Sequence, residues 1–236
     1  MIILAMDTSG PVAGVAILCD GKLAYEGAAV NKMTHSVNMM PMVEEALTRS
    51  GLDIADIDLF AAVTGPGSFT GVRIGVTAVK GMAHGAGKPC IGVDALEALA
   101  SSSFAASGII CPIQDARAGQ VYGAAFRSGM PPIRLLPDMA EKLPVYLNKV
   151  LAAANNDEKL FFVGDGVPTY RQAIMDQLGE RAVFAPVHCS YLRPAAVAML
   201  AHMRQQDAVD YLTLAPVYLR APQAERARAA KEAAKG

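Results

Sequence analysis

The chain opens with an apolar run, Ile2 to Met6, that stops at the short polar turn Asp7-Thr8-Ser9-Gly10, the pattern of a buried strand. Val12 to Leu18 reads as a second strand, Asp20-Gly21 as a hairpin turn, and Lys22 to Val30 as a third strand. From about Thr34 to Ser50 apolar residues recur at helical spacing. Asp58 to Val63 is again a short apolar run, and Val72 to Ala86 carries an apolar residue every three or four positions. The first part of the chain is therefore predicted to run βββαβα.

Two of these helices carry more apolar surface than one core contact needs. In the first, Val37, Met40, Val43 or Glu44, and Leu47 form one stripe, and Met39, Met42 and Ala46 form another. The second stripe is expected to be an adaptable contact surface, because methionine is flexible and polarizable. Pro41 removes one helical hydrogen bond. In the later helix, Val72, Val76, Val79 and Ala83 suit packing on a sheet, whereas Gly71, Gly75, Ala78, Met82 and Gly85 form a stripe of mostly small residues. Glycine inside a helix costs about 1 kcal/mol relative to alanine, so a face built on it calls for close approach of another element. That element is either in this chain or in a partner.

Between strand and helix stands Gly65-Pro66-Gly67-Ser68-Phe69-Thr70-Gly71. The glycines allow positive φ, and Ser68 or Thr70 can cap the helix. The turn is not a P-loop, because no lysine follows in either register, and not a nucleophile elbow, because Pro66 stands where that motif needs glycine. Anion binding at the helix start competes with a purely structural turn.

Beyond Lys88-Pro89 the pattern gives a strand at Cys90 to Val93 and a helix from Asp94 towards Ala106, with Gly108 as the boundary between halves. Ile109 to Ile113 starts the second half, followed by an Asp115–Arg117 turn that forms a local ion pair or holds a ligand, and an alternating run to Phe126. Pro131-Pro132 reads as a loop and Met139 to Ala154 as a helix. Leu160 to Val163 is a strand ending in Gly164-Asp165-Gly166, Thr169 to Leu178 a helix, Val183-Phe184 a brief strand and Pro194 to Arg204 a helix. Alternating strands and helices predict an α/β layered protein. The expected division is 1–107, 108–221, and a basic tail, 222–236, without an apolar stripe.

Composition narrows the functions. Of 236 residues 53% are hydrophobic and 18% charged, with a net charge of −1, which gives no global case for nucleic-acid binding. Cys19, Cys90, Cys111 and Cys189 are scattered, as for core residues in a reducing compartment. The N-terminus lacks the basic region of a signal peptide and no window suits a membrane span, so a cytoplasmic, soluble protein is expected. His35, His84, His188 and His202 include no i,i+4 pair and no evident nucleophile–base partner, so neither a catalytic group nor a metal cluster is predicted.

Asp7-Thr8-Ser9, Thr34-His35-Ser36, Gly65 to Gly75, Asp115-Ala116-Arg117 and Pro216-Val217-Tyr218-Leu219-Arg220 closely resemble the bacterial TsaB (YeaZ) family over nearly the whole chain. The resemblance implies an actin/Hsp70-like (ASKHA) fold of two βββαβα-type halves, mixed sheets covered by helices. It also implies a role as a scaffold in making threonylcarbamoyladenosine in tRNAs that read codons beginning with A. The family pairs with the related transferase TsaD, joined by the ATPase TsaE. Contact with tRNA is expected only through that complex, and a homodimer is a candidate state for the free protein. No firmly bound cofactor is implied, with ATP a candidate at the shared interface. Where TsaD has metal-binding histidines this chain has Ala95 and Leu99, and Arg193 stands near the place of a third, acidic ligand. The partner surface is thus expected at Met39, Met42, Ala46, Gly71, Gly75, Ala78 and Met82. A phosphate-loop remnant is expected at Asp7, Thr8, Ser9, Gly65, Gly67 and Ser68.

Three other readings are open on the same residues. An independent actin-like ATPase or sugar-kinase-type enzyme would use Asp7 and the Gly65–Gly71 turn, with Gly164-Asp165-Gly166 as a second phosphate loop. A glycoprotease lacks ligand histidines. A regulatory module acting on another protein would differ only in its partner.

Overall fold

The computed structural model describes residues 1–30, 35–103 and 107–220. Thr34, Ala106 and the basic tail at 222–236 lie outside the described residues. In chain order the elements are β1 (Ile2–Asp7), β2 (Ala13–Cys19), β3 (Lys22–Ala29), α1 (His35–Ser50), β4 (Leu59–Gly65), α2 (Phe69–Ala86), β5 (Cys90–Asp94) and α3 (Ala95–Ser101). They continue with β6 (Ile109–Asp115), β7 (Gln120–Arg127), β8 (Ile133–Lys142), α4 (Leu143–Ala153), β9 (Leu160–Val163), α5 (Val167–Leu178), β10 (Ala182–Phe184) and α6 (Pro194–Met203).

The strands form two five-stranded sheets, in the orders β3-β2-β1-β4-β5 and β8-β7-β6-β9-β10. The second order repeats the first with each strand replaced by its counterpart five places on. Within each sheet the first three strands are antiparallel and the last three parallel. This duplicated βββαβαβ unit is the actin/Hsp70-like arrangement. Its halves share a topology that the sequence does not display as a repeat.

Period-two alternation along the central strands builds the layers. Leu4, Met6, Val15, Ile17, Phe60 and Ala62 face α1 and α2. Their neighbours Ile3, Ala5, Ala16, Leu18, Ala61 and Val63 face a cluster containing α3 and α6 residues. That cluster also takes in Ile110, Ala124, Phe126 and Val163, so α3 and α6 form a middle layer shared with the second sheet. The outer face of the second sheet, with Cys111, Ile113 and Phe162, is covered by α4 and α5. Among the described residues no helix is long and apolar enough to cross a membrane.

Two expectations need correction. Residues 139–142, read as helix, belong to the strand β8, and α4 begins only at Leu143. Pro137 within the run obscures the strand in sequence. The structure tolerates it because β8 is an edge strand and its pairing with β7 slips near Ala125. Second, the chain does not stay in its second half after residue 108. α6 packs on β1 and β2, Val209 bridges to Cys90, and Leu214 joins the core under α2. Apolar residues at 194–214 carry no label saying which sheet they cover.

The middle layer contains a buried charge. Glu97 of α3 accepts a two-pronged contact from Arg204, one bond being Nη1 to Oε2 at 2.7 Å. Glu97 is buried and Arg204 is its one ion-pair partner among the described residues, so removing it would strand a carboxylate in the core. Arg204→Ala is expected to lower unfolding stability by about 3 kcal/mol, read from urea unfolding midpoints.

Candidate functional site

β4 is buried along its length and ends at Gly65, where the chain turns through the cis Gly65–Pro66 bond into α2. Gly65 and Gly67 have φ of 126° and 157°. A Cβ on Gly65 would stand 2.5 Å from Val217 O, and one on Gly67 2.4 Å from Ser9 O. The Ser68 hydroxyl caps α2 by accepting from Gly71 N–H at 3.2 Å, while Ser68 N–H donates to Ser9 O at 2.7 Å. Thr8 lies against the first two turns of the helix, its hydroxyl donating to Gly71 O at 2.7 Å.

Asp7, Thr8, Ser9, Gly65, Gly67 and Ser68 are therefore brought together, as the sequence suggested for a phosphate-loop remnant. They are filled by one another: the β1–β2 turn occupies the surface that the glycines leave open. This also corrects the expected partner surface. A Cβ on Gly71 would meet Thr8 O at 2.0 Å, and one on Gly75 would meet Thr8 Oγ1 at 2.6 Å. Both glycines serve a close approach within the chain.

The expected Met-rich face of α1 is corrected in the same way. Met39 and Ala46 are 1% and 0% exposed and pack with Val43 beneath the helix. Val37 and Met40 point outward, Met40 at 49% exposure, and Met42 is half-buried. Two apolar stripes on one helix leave its rotation undetermined until the sheet is placed. Between α1 and α2 lies an open groove of about 490 Å³ lined by Met40, Pro41, Val43, Glu44, Leu47, Ile54 and Met82. Ala78 and Met82 are half-buried and remain on the outer side of α2. The spare apolar surface exists, but mostly through residues the sequence assigned to the core.

A second feature lies between the halves. Asp7, Gly10, Pro11 and Val12 from one half and Gln114 and Asp165 from the other line a narrow cleft closed by Leu99, Tyr191 and Leu192. It has room for about one water. Asp7 accepts from Ser9 N–H at 2.8 Å, yet burial pushes its carboxyl up to about 6. Burial, reinforced by Asp115, pushes Asp165 up to about 6 as well. Among the described residues, Gln114 Oε1 and Asp165 Oδ1 are buried without a hydrogen-bond partner. His35 contacts Gly10 O through Nε2 at 2.9 Å. Asp115 accepts from Arg117 N–H at 2.8 Å and from the Tyr170 hydroxyl at 3.1 Å, with the Arg117 guanidinium 3.8 Å away. The local ion pair is thus formed. Gln114 and Tyr191 carried no sequence signal; the fold alone brings them to the cleft.

Ala95 and Leu99 are both buried in the middle layer and have no side-chain atom able to bind a metal. Arg193 is held by Glu26, with Nε to Oε1 at 3.1 Å.

Gly71→Ala is expected to destabilise the protein by about 2 kcal/mol, because the new methyl must displace a backbone oxygen. Ala78→Arg is expected to stay within about 0.5 kcal/mol of the parent. Thermal unfolding of the two variants side by side measures the difference.

The family model described as TsaD, tRNA N6-adenosine threonylcarbamoyltransferase, matches residues 29–228. A Bacillus subtilis protein named tRNA threonylcarbamoyladenosine biosynthesis protein TsaB is 34% identical over 227 residues, covering 95% of this chain and 96% of that protein. A Haemophilus influenzae protein of the same name is 30% identical over 228 residues, covering 93% and 94%. The fold is shared with the solved structure of YeaZ from Pseudomonas aeruginosa, at a TM-score of 0.74, 24% identity and coverage of 92% and 99%. With relatives aligned end to end, a related transferase model spanning most of its length and the duplicated fold in place, this chain belongs to the TsaB (YeaZ) family.

Proposed function

We propose that the chain takes part in forming threonylcarbamoyladenosine on tRNA as a subunit that contributes surface and leaves the transfer chemistry to a partner. The observation that carries this reading is the apolar groove between α1 and α2, on a chain that aligns end to end with relatives named for that biosynthesis. Among its lining residues the groove has one charged group, Glu44. An interface is favoured where apolar area is removed from water. The occupant proposed is a TsaD-type transferase of related fold, with TsaE as the ATPase that joins them in the cytoplasm and ATP held where the subunits meet. Free of that partner, the groove is available to a second copy of the chain. The lack of metal-binding side chains at Ala95 and Leu99 supports assigning the metal chemistry to the partner.

The rival ATPase reading uses Asp7 and the Gly65–Gly71 turn. Against it, Val217 O, Ser9 O and Thr8 O stand over Gly65, Gly67 and Gly71, where a phosphate would approach the turn.

Depletion of the protein followed by mass spectrometry of tRNA nucleosides is expected to show loss of threonylcarbamoyladenosine; an unchanged level would refute the role. Met40→Glu with Met82→Glu is expected to cut co-purification with the transferase by about tenfold or more, since a buried unpaired carboxylate weakens an apolar contact. The variant should stay folded, the half-buried Met82 lowering its melting temperature by about 2–4 °C. Normal stoichiometry in the complex would move the interface elsewhere.

A further inference from the structure

The end of the described chain crosses from one half to the other. Val209 pairs with Cys90 at the edge of the first sheet, through Cys90 N–H to Val209 O at 2.9 Å and Val209 N–H to Cys90 O at 2.7 Å. Tyr211 lies against His84 of α2, ring centroids 4.4 Å apart, and Lys80 Nζ donates to Leu214 O at 2.9 Å. Val217 N–H donates to Thr64 O at 2.8 Å. Tyr218 then stacks on Phe69 with centroids 4.4 Å apart, and its hydroxyl accepts from Arg73 Nε at 2.8 Å. The Arg73 guanidinium also sits 4.0 Å from the Phe69 ring centroid and 5.7 Å from that of Tyr218, a cation–π contact beside the stacked pair. Two residues later, Arg220 Nη1 donates to Ala116 O at 2.8 Å, in the β6–β7 turn of the other half.

The two anchorages flank the narrow cleft. On one side, the β4–α2 turn that holds Val217 and Tyr218 also holds Ser9 and so fixes the Asp7 wall. On the other, Ala116 follows Gln114, which lines the cleft, and Asp115, whose charge acts on Asp165.

We infer that residues 208–220 form a clasp: seated on Phe69, Arg73 and Ala116 they hold the two halves shut over the cleft, and their release lets it widen and admit water to Asp7, Gln114 and Asp165.

The cleft itself supplies the opposing force. Among the described residues Gln114 Oε1 and Asp165 Oδ1 are buried acceptors without a donor, and the closed cleft has room for only about one water, so a wider cleft offers them further hydrogen bonds. Asp7 and Asp165 interact as like charges across it. The groups acting on them are His35 near Asp7, and Asp115 and Arg117 near Asp165. Tyr170 donates to Asp115 from α5. In the closed form both carboxyls titrate at about 6. In a hydrated, open cleft they approach the ordinary value of about 4. The closed form therefore binds more protons, so its advantage is full below about pH 4 and is lost as pH rises through about 6. At higher pH the clasp alone opposes the repulsion.

Hydrogen exchange on the full chain tests this, with rates corrected for intrinsic exchange at about pH 5 and about pH 8. In Tyr218→Ala/Arg220→Ala, the β1–β2 turn and the β9–α5 turn are expected to exchange about tenfold faster than in the parent at the higher pH, and less so at the lower. β4 and β6 should keep their protection. Adding Asp165→Asn should restore slow exchange at both turns. Parent-like exchange at the two turns at both pH values would overturn the inference, as would uniform loss across the central strands. Should the double variant fail to fold, Arg220→Ala alone keeps the Tyr218 stack and is read by the same criteria.

Discussion

The seat of Thr8 on the first two turns of α2 is the contact on which the rest depends. It requires the absence of side chains at Gly71 and Gly75, since any Cβ there would enter the threonine. With those positions empty, the β1–β2 turn drops onto the helix and Thr8 donates to Gly71 O. The Gly65–Pro66–Gly67 turn closes around Ser9 through the Ser68 N–H. Helix propensity is lost at Gly75, about 1 kcal/mol, and to a smaller extent at Gly71 in the first turn. What it secures is a fixed position for α2 relative to the first sheet, and with it the groove on one side of α2 and the cleft at its N-terminal end.

From that contact outward, each half follows the same physics. A three-strand antiparallel meander continues into parallel strands, and the helices that connect the parallel strands cover one face. The two sheets cannot each close their inner face alone. They share α3 and α6, and the Glu97–Arg204 pair lies within that shared layer. Residues 208–220 then return across the first half to the β6–β7 turn.

Most strands and helices were legible in the sequence because their apolar period is strong and their turns carry glycine or proline. β8 was not. Pro137 and the polar residues of an edge strand give it the look of a loop leading into a helix, and only its pairing with β7 reveals it. The candidate site was legible in part. Ser68 as the cap of α2 and the Asp115–Arg117 pair follow from local rules, because each contact spans only a few residues. The assignment of Met39, Ala46, Gly71 and Gly75 to an outer surface did not survive. Periodicity shows that a helix has two apolar faces but not which one the sheet takes.

By itself, the sequence determined the order of most elements, the small-residue face of α2, the motif segments shared with the family, and aliphatic side chains at Ala95 and Leu99. These are properties of a residue and its near neighbours. Tertiary structure decided the rotation of α1, the use of Gly71 and Gly75 against Thr8, the return of residues 194–220 to the first half, and the meeting of Asp7 with Gln114 and Asp165. Each of those depends on contacts between residues far apart in the chain, and hydrophobic burial is non-directional, so one apolar pattern is compatible with several partners until the whole core is packed.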